Sequence, residues 1–330
     1  MSLSFIKPGL LDTVQDIGRI GYGNWGINPG GAMDPYALQV ANMLVGNCCT
    51  EAVIEIHFPG PQILFEQNVM IAVTGADFTP MLNDEAIPLW HPVIARKNTL
   101  LHFPELNYGS RCYLSVHGGI CAEKWLNSYS TNLKAVVGGY KGQPLKKGDE
   151  LRLKENTIYF AGLLPEEKNL RILPWQADVR NVYHHQNEIL ITKGNEWENL
   201  KSDSQRQVFE NNFVILPLSD RMGYHLKGSS LALDHPMELL STAVNFGTLQ
   251  LLPDGQLIVL MADHQTTGGY PRIGHVISAH LPKLAQLCPG DNLHFKITDI
   301  ETAEKLLISQ QQELKILQRA CLAHLNEMVC

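Results

Sequence analysis

A mainly β fold is what this sequence predicts, and three observations carry that reading. The 27 glycines and 18 prolines are spread along the 330 residues rather than clustered, the punctuation of many short strands and turns. Several segments rich in β-branched and aromatic residues end in turn chemistry. Only 18% of residues are charged while 45% are hydrophobic, against about 25% charged in an average soluble protein. A substantial core is therefore available, and global disorder is excluded. The length suits two domains or one large one.

Taken in chain order, one helix comes early. Asp34 is its cap, Pro35 its first residue, and Ala37, Val40, Ala41, Leu44 and Val45 form an apolar stripe closed by Gly46-Asn47. Strands are expected at Ala52–Ile56, Val69–Val73, Thr99–Phe103 and Cys112–Val116. Pro59-Gly60-Pro61, Asn83-Asp84 and Tyr108-Gly109-Ser110 supply turns between them. This rhythm fits a closed or nearly closed β-barrel.

The second half echoes the first. Val69–Asp77 and Gln256–Asp263 are both strands running into an aspartate, and each is followed later by a turn and a Leu-His-Phe strand, ending at Phe103 and Phe295. Two similar β domains are one reading; chance recurrence of strand-turn-strand patterns is the other. The expected division is 1–165 for the first β domain, 166–299 for the second and 300–330 for a terminal helix. The break falls near Pro165-Glu-Glu-Lys168, with the polar stretch Lys193–Ser204 as an insertion. In the tail Ala303, Leu307, Gln310, Leu314, Leu317, Cys321, Leu325 and Met328 step by three and four, an amphipathic helix. Packing on its own domain is preferred there over pairing with another chain.

Charge and cysteine usage exclude several classes. With 26 basic and 33 acidic residues the net charge is −7, unsuited to nucleic acid or an anionic membrane surface. Lys7 and Pro8 break the first apolar stretch, so no signal peptide is expected. The seven cysteines are scattered, without a C-x-x-C, and read as free thiols of a bacterial-type cytoplasmic protein. No Walker-type G-x-x-x-x-G-K-[ST] loop, G-x-S-x-G elbow, H-E-x-x-H pair or biotin-carrying lysine between methionines occurs, and no metal site is expected.

Four polar constellations remain. Lys7, Thr13, Gln15, Asp16 and Arg19 cluster among glycines that permit close approach to a ligand, or Asp16 and Arg19 simply pair. Gly30–Asp34 feeds a helix N-terminus, an anion site or merely a cap. Ser219-Asp220-Arg221-Met222-Gly223 follows a strand; its arginine suits two-pronged recognition of a carboxylate or phosphate, against an ordinary ion pair. The strongest is Asp263-His264-Gln265-Thr266-Thr267-Gly268-Gly269-Tyr270-Pro271-Arg272. An unbroken run of donors and acceptors after a buried strand favours a site over a plain turn.

These segments together resemble the KipA family, also called allophanate hydrolase subunit 2 or the C-subunit of 5-oxoprolinase. The resemblance rests on Lys7-Pro-Gly-Leu-Leu, Thr13–Arg19, Met33-Asp-Pro35, Ala41-Asn42, Leu44–Asn47, Val73–Asp77, Ser219–Tyr224, Pro253–Gln256 and Ala262–Ile273. It runs in order from Phe5 to about Phe295. It implies two cyclophilin-like β-barrel domains, and work with KipI-type and LamB/YcsF-type subunits as an ATP-dependent 5-oxoprolinase. Two alternatives come with the family: a carboxyltransferase-type subunit of a biotin-dependent urea carboxylase/allophanate system, and a non-catalytic regulatory subunit antagonising a histidine-kinase inhibitor. ATP, with Mg, is expected at the level of the complex, and biotin only under the carboxyltransferase alternative and on another chain. The chain alone is expected to show little activity.

On that resemblance Asp263, Asp16 and Arg221 are the expected catalytic residues. Lys7, Gln15, Arg19, Asp220, Gln265, Thr266, Thr267, Gly268, Gly269 and Tyr270 are the expected binding residues for a small anionic substrate. Departures are His264, where the family has Arg before Gln-Thr-Thr-Gly-Gly, and Tyr129, in place of another family Arg. Within Ala135–Gly139 a Val replaces a customary Gly. Losing two cations tunes any anion site differently.

Overall fold

The computed structural model describes residues 2–154, 160–165, 167–184, 187–237 and 239–329. It divides into two compact units. The first comprises Met1–Gly18, Asp34–Val179 and Gln312–Cys330, and the second Arg19–Met33 and Arg180–Gln311. Both are mainly β.

The first unit builds two six-stranded sheets. One runs Glu150–Arg152, Ser2–Lys7, Gln62–Phe65, Leu100–His102, Met81–Leu82, Glu85–Ala86; the other Leu170–Ile172, Pro92–Ala95, Val69–Asp77, Tyr108–Val116, Val53–His57, Thr13–Gln15. Alternation sets the faces: Leu3 and Phe5 are buried while Ile6 and Lys7 are exposed, as a strand with one wet side requires. Val69–Val73, by contrast, is buried at every position. One core joins residues of both sheets, among them Phe5, Ile54, Phe65, Val73 and Leu114.

The helix Pro35–Leu44 begins as its sequence dictates, with the Asp34 carboxylate accepting from Ala37 N at 2.9 Å and proline in the first turn. It is held against the central strand by Thr74 Oγ1, which donates to Ala37 O at 2.8 Å. The expected boundary at Pro165 lies short of the unit's edge at Val179. Leu170–Ile172, just beyond it, pairs with Pro92–Ala95, and a hydrogen-bonded strand belongs with its sheet whatever the local composition. Glu166, at that boundary, lies outside the described residues.

The second unit closes a barrel in the order Glu188–Lys193, Arg272–Val276, Thr248–Leu251, Leu257–Leu260, Gly223–Lys227, Asn212–Ile215, Asn292–Ile297. The last strand closes on the first in parallel register, and the other pairings are antiparallel. Its core contains Ile191, Trp197, Phe213, Leu249, Val259 and Phe295. The polar insertion forms the short turn Trp197–Asn199 and opens the helix Ser202–Glu210.

The terminal helix spans Ile300–Val329. Residues 300–311 count with the second unit and 312–330 with the first, so it is not a separate third part. In the first unit Leu314, Cys321 and Leu325 are its buried stripe, and His324 stacks on Trp175 with ring centroids 5.4 Å apart. Leu325 lies over Gly46, whose φ of +73° and lack of Cβ leave room for it. Among the described residues no helix is long and apolar enough to cross a membrane.

Candidate anion-binding cluster

In the second unit, strand register brings two of the four polar segments together. Gly223 pairs with Leu260 across adjacent antiparallel strands, and the pairing continues outward as Met261 N donates to Met222 O and Asp263 N to Arg221 O. Arg221 and Asp263 therefore face one another at the ends of neighbouring strands. The guanidinium grips the carboxylate with both prongs: Nε to Oδ2 at 2.8 Å and Nη2 to Oδ1 at 3.1 Å. Nη2 also donates to Gly31 O at 2.6 Å. The Arg221 side chain is 7% exposed and that of Asp263 20%, so the carboxylate is the accessible member of a largely buried, charge-assisted pair.

The segment Arg19–Met33 supplies the rest. Arg19 N donates to Pro29 O at 2.6 Å and closes the base of a glycine-rich loop. Gly30 then lies between two functional side chains. A Cβ placed there would be 3.0 Å from Arg19 Nη1 and 3.5 Å from Asp263 Oδ1, and φ is +61°. Glycine is required on both counts, steric and conformational. Arg19 itself is buried. Three segments far apart in sequence thus meet: residues 19–31, Arg221 and Asp263.

His264 is 3% exposed. Burial pushes its imidazole below the usual histidine range, against the opposing influence of the Gln265 carbonyl and Asp263. Its Nδ1 bonds to Gln265 O, a carbonyl that only accepts, so the neutral ring carries its proton on Nδ1 and leaves Nε2 as an acceptor. Where the family pattern has a permanent cation, this chain has a neutral group.

The remainder of the polar run spreads out. Gln265 is exposed, and Thr266 O accepts from Val244 N. Thr267–Gly268 pairs with Thr242–Ala243 in a two-stranded sheet. A Cβ on Gly268 would sit 2.5 Å from Gln250 Nε2. Gly269 and Tyr270 line a largely apolar cavity of about 910 Å³ with Leu231, Leu233, Met237 and Leu251. Arg272 is engaged by Glu196, with Nε to Oε2 at 3.1 Å and Nη2 to Oε1 at 3.0 Å. Asp220 is exposed and its Oδ1 accepts from Met222 N and Gly223 N, the behaviour of an aspartate shaping its own turn.

Asp16, Gln15 and Lys7 belong to the first unit. Asp16 Oδ1 accepts from Gly18 N at 2.8 Å and from the Ser128 and Ser130 hydroxyls at 2.6 Å each, and Oδ2 accepts from Tyr129 N at 2.6 Å. Four donors on one carboxylate make it an organiser of the Ser128–Ser130 loop. Gln15 is buried, with Nε2 on Thr13 Oγ1 at 2.9 Å, and Lys7 is an exposed strand end.

Sequence reasoning missed two lysines. Lys124 and Lys154 place their ammonium groups 4.8 and 4.9 Å from the centre of the Tyr129 ring, within cation–π range. Positive charge therefore stands beside Tyr129, brought by two lysines that no motif marks. Among the described residues no group of three or more His, Cys, Asp or Glu could hold a metal ion.

With this geometry in hand, the likeness to known proteins is extensive. A family profile described as "Carboxyltransferase domain, subdomain A and B" matches residues 25–297. The 5-oxoprolinase C-subunit of Haemophilus influenzae is 36% identical over 294 residues, 89% of this chain and 90% of that protein. The 5-oxoprolinase C-subunit of Escherichia coli is also 36% identical, over 94% of this chain and 96% of its own length. The crystal structure of the K. lactis urea amidolyase superposes with a TM-score of 0.83 at 27% identity, over 96% of this chain and 20% of the larger one.

Proposed function

Because the chain belongs to the carboxyltransferase subdomain A and B family, we propose that it is a subunit of a bacterial, cytoplasmic 5-oxoprolinase. That complex hydrolyses 5-oxo-L-proline to L-glutamate with consumption of ATP, and its other members are KipI-type and LamB/YcsF-type subunits. The observation that carries the reading is the Arg221–Asp263 pair beside Gly30, Gly31 and Arg19, within a chain that aligns along nearly all of two 5-oxoprolinase C-subunits.

The chemistry sets the demands. A lactam is a stable amide, and ATP supplies activation by phosphorylating its carbonyl oxygen. Water then adds to that carbon, the ring nitrogen takes a proton and leaves as the ring opens to an acyl phosphate, and a second water releases phosphate to give the side-chain carboxylate. The substrate's own carboxylate must be held still meanwhile. Arg221, already fixed by Asp263, presents a rigid planar donor for that carboxylate, and Arg19 stands close by. Asp263 orients Arg221 and, being the more accessible, accepts a proton from the attacking water. His264 Nε2, unprotonated, accepts a hydrogen bond without adding charge. The exposed Gln265 amide, next to His264, donates to developing negative charge. The sequence has no Walker-type phosphate loop, so ATP and its Mg are assigned to the assembled complex.

A carboxyltransferase role within a biotin-dependent urea carboxylase is the second reading. The family description and the urea amidolyase superposition favour it, although this chain spans only 20% of that structure. Co-expression with the partner subunits, followed by assays on 5-oxo-L-proline, urea and allophanate with ATP, separates the two. The expected outcome is ATP-dependent glutamate from 5-oxo-L-proline alone, with little turnover by the isolated chain. Turnover of urea or allophanate in preference would transfer the assignment to the second reading, and robust activity of the chain alone would contradict the need for partners.

A further inference from the structure

Cys48 and Cys49 lie in the first unit. They open a β-turn closed by Glu51 N donating to Cys48 O at 2.9 Å. The turn is anchored on both sides. Asn47 Nδ2 donates to Val116 O and its Oδ1 accepts from Gly118 N, each at 2.8 Å. Glu51 Oε1 pairs with Lys154 Nζ at 2.7 Å. On this fixed frame Cys48 is exposed and Cys49 half-buried. The Cys48 sulfur lies 3.3 Å from Thr50 Oγ1, and the neighbouring Cys49 thiol influences it electrostatically. Adjacent residues on regular structure point their side chains apart; here the turn brings both sulfurs together.

The environment gives the two thiols different characters. The Thr50 hydroxyl and backbone, with the Cys49 thiol, hold Cys48 below the ordinary thiol range against burial and the Glu51 charge. Burial and the Cys48 charge push Cys49 up. An exposed sulfur biased toward thiolate beside a protonated partner is the arrangement of an attacking and a resolving cysteine.

We infer that Cys48 and Cys49 form a redox-active vicinal dithiol that hydroperoxides oxidise to a disulfide. The Cys48 thiolate attacks one peroxide oxygen, the O–O bond breaks, and the departing oxide takes a proton and leaves as water or an alcohol. Cys48 is then a sulfenic acid. The Cys49 sulfur displaces its hydroxyl, the Cys49 thiol proton leaves with that hydroxyl as water, and the S–S bond forms. Two electrons pass from the thiol pair to the peroxide, and a dithiol reductant returns them.

The test uses the full chain and its Cys48→Ser and Cys49→Ser variants, checked for unchanged circular dichroism. Limited hydrogen peroxide is expected to remove a pair of hydrogens from the peptide carrying both cysteines, restored by dithiothreitol. Cys49→Ser should instead stop at a sulfenic acid on Cys48 that dimedone traps. Cys48→Ser should give neither product. Phenylarsine oxide, a dithiol probe, should bind one equivalent of the wild-type chain and lose that binding in either variant. In unmodified protein, Cys48 should alkylate faster than Cys121, which is also exposed. The assignment is overturned if Cys121 oxidises or alkylates first while Cys48 and Cys49 remain thiols. Absence of a dimedone adduct on Cys48 in Cys49→Ser overturns it equally.

Discussion

Asp12 is a buried carboxyl whose Oδ2 accepts from Gly9 N at 2.6 Å while Oδ1 has no hydrogen-bond partner among the described residues. Burial, opposed by the Gly9 bond, raises it from 3.8 to about 7. The folded chain therefore keeps a proton that the unfolded chain surrenders across that interval. This contribution to stability is complete below about pH 4 and is lost as the pH rises through 7. Asp12→Asn removes the titration. Thermal midpoints measured from pH 5 to pH 8 should fall less steeply in the variant, with a relative gain at pH 8 on the order of 2–4 kcal/mol. Parallel profiles would contradict it. Single residues were also where sequence reading was least secure. Arg221 and Asp263 stand out in sequence because each follows an apolar strand, and their side chains are in contact. Asp220 and Asp16 have the same look in sequence, yet their oxygens serve their own turn and the Ser128–Ser130 loop. What separates the two groups is hydrogen-bond geometry, which residue type does not encode.

Elements were more legible, because their signals are local. Cap and proline announced the helix Pro35–Leu44, and three-four spacing announced Ile300–Val329. Strand edges came out differently where bonding partners decide them: the turn expected at Tyr108-Gly109-Ser110 is instead the start of the strand Tyr108–Val116. Two substitutions probe how elements carry the site and the core. Gly30→Ala would place a Cβ in the left-handed region, costing roughly 1–2 kcal/mol, and press on Arg19 and Asp263. Turnover by the complex should fall at least about tenfold with the barrel intact by circular dichroism, and unchanged kinetics would show that this backbone does not shape the site. Leu325→Ala empties a buried position of the terminal helix, and a loss of about 2–4 kcal/mol is expected in urea unfolding. A change under about 0.5 kcal/mol would mean the helix face is not part of the core.

At the scale of the whole molecule, the mainly β class was legible from composition and turn chemistry, whereas the partition was not. Residues 19–33 join the second unit although they precede nearly all of the first. Sequence proximity argued the other way, and only contacts decide such an exchange. That exchange is what sets Arg19, Gly30 and Gly31 beside Arg221 and Asp263, and on this grouping the functional account stands. The most direct test compares Arg221→Lys and Asp263→Asn with wild type in the reconstituted complex, reading ATP-dependent glutamate formation from 5-oxo-L-proline with subunit assembly verified. The account predicts a drop in kcat/KM of about 100-fold or more for each. Wild-type rates in both fully assembled variants would contradict it.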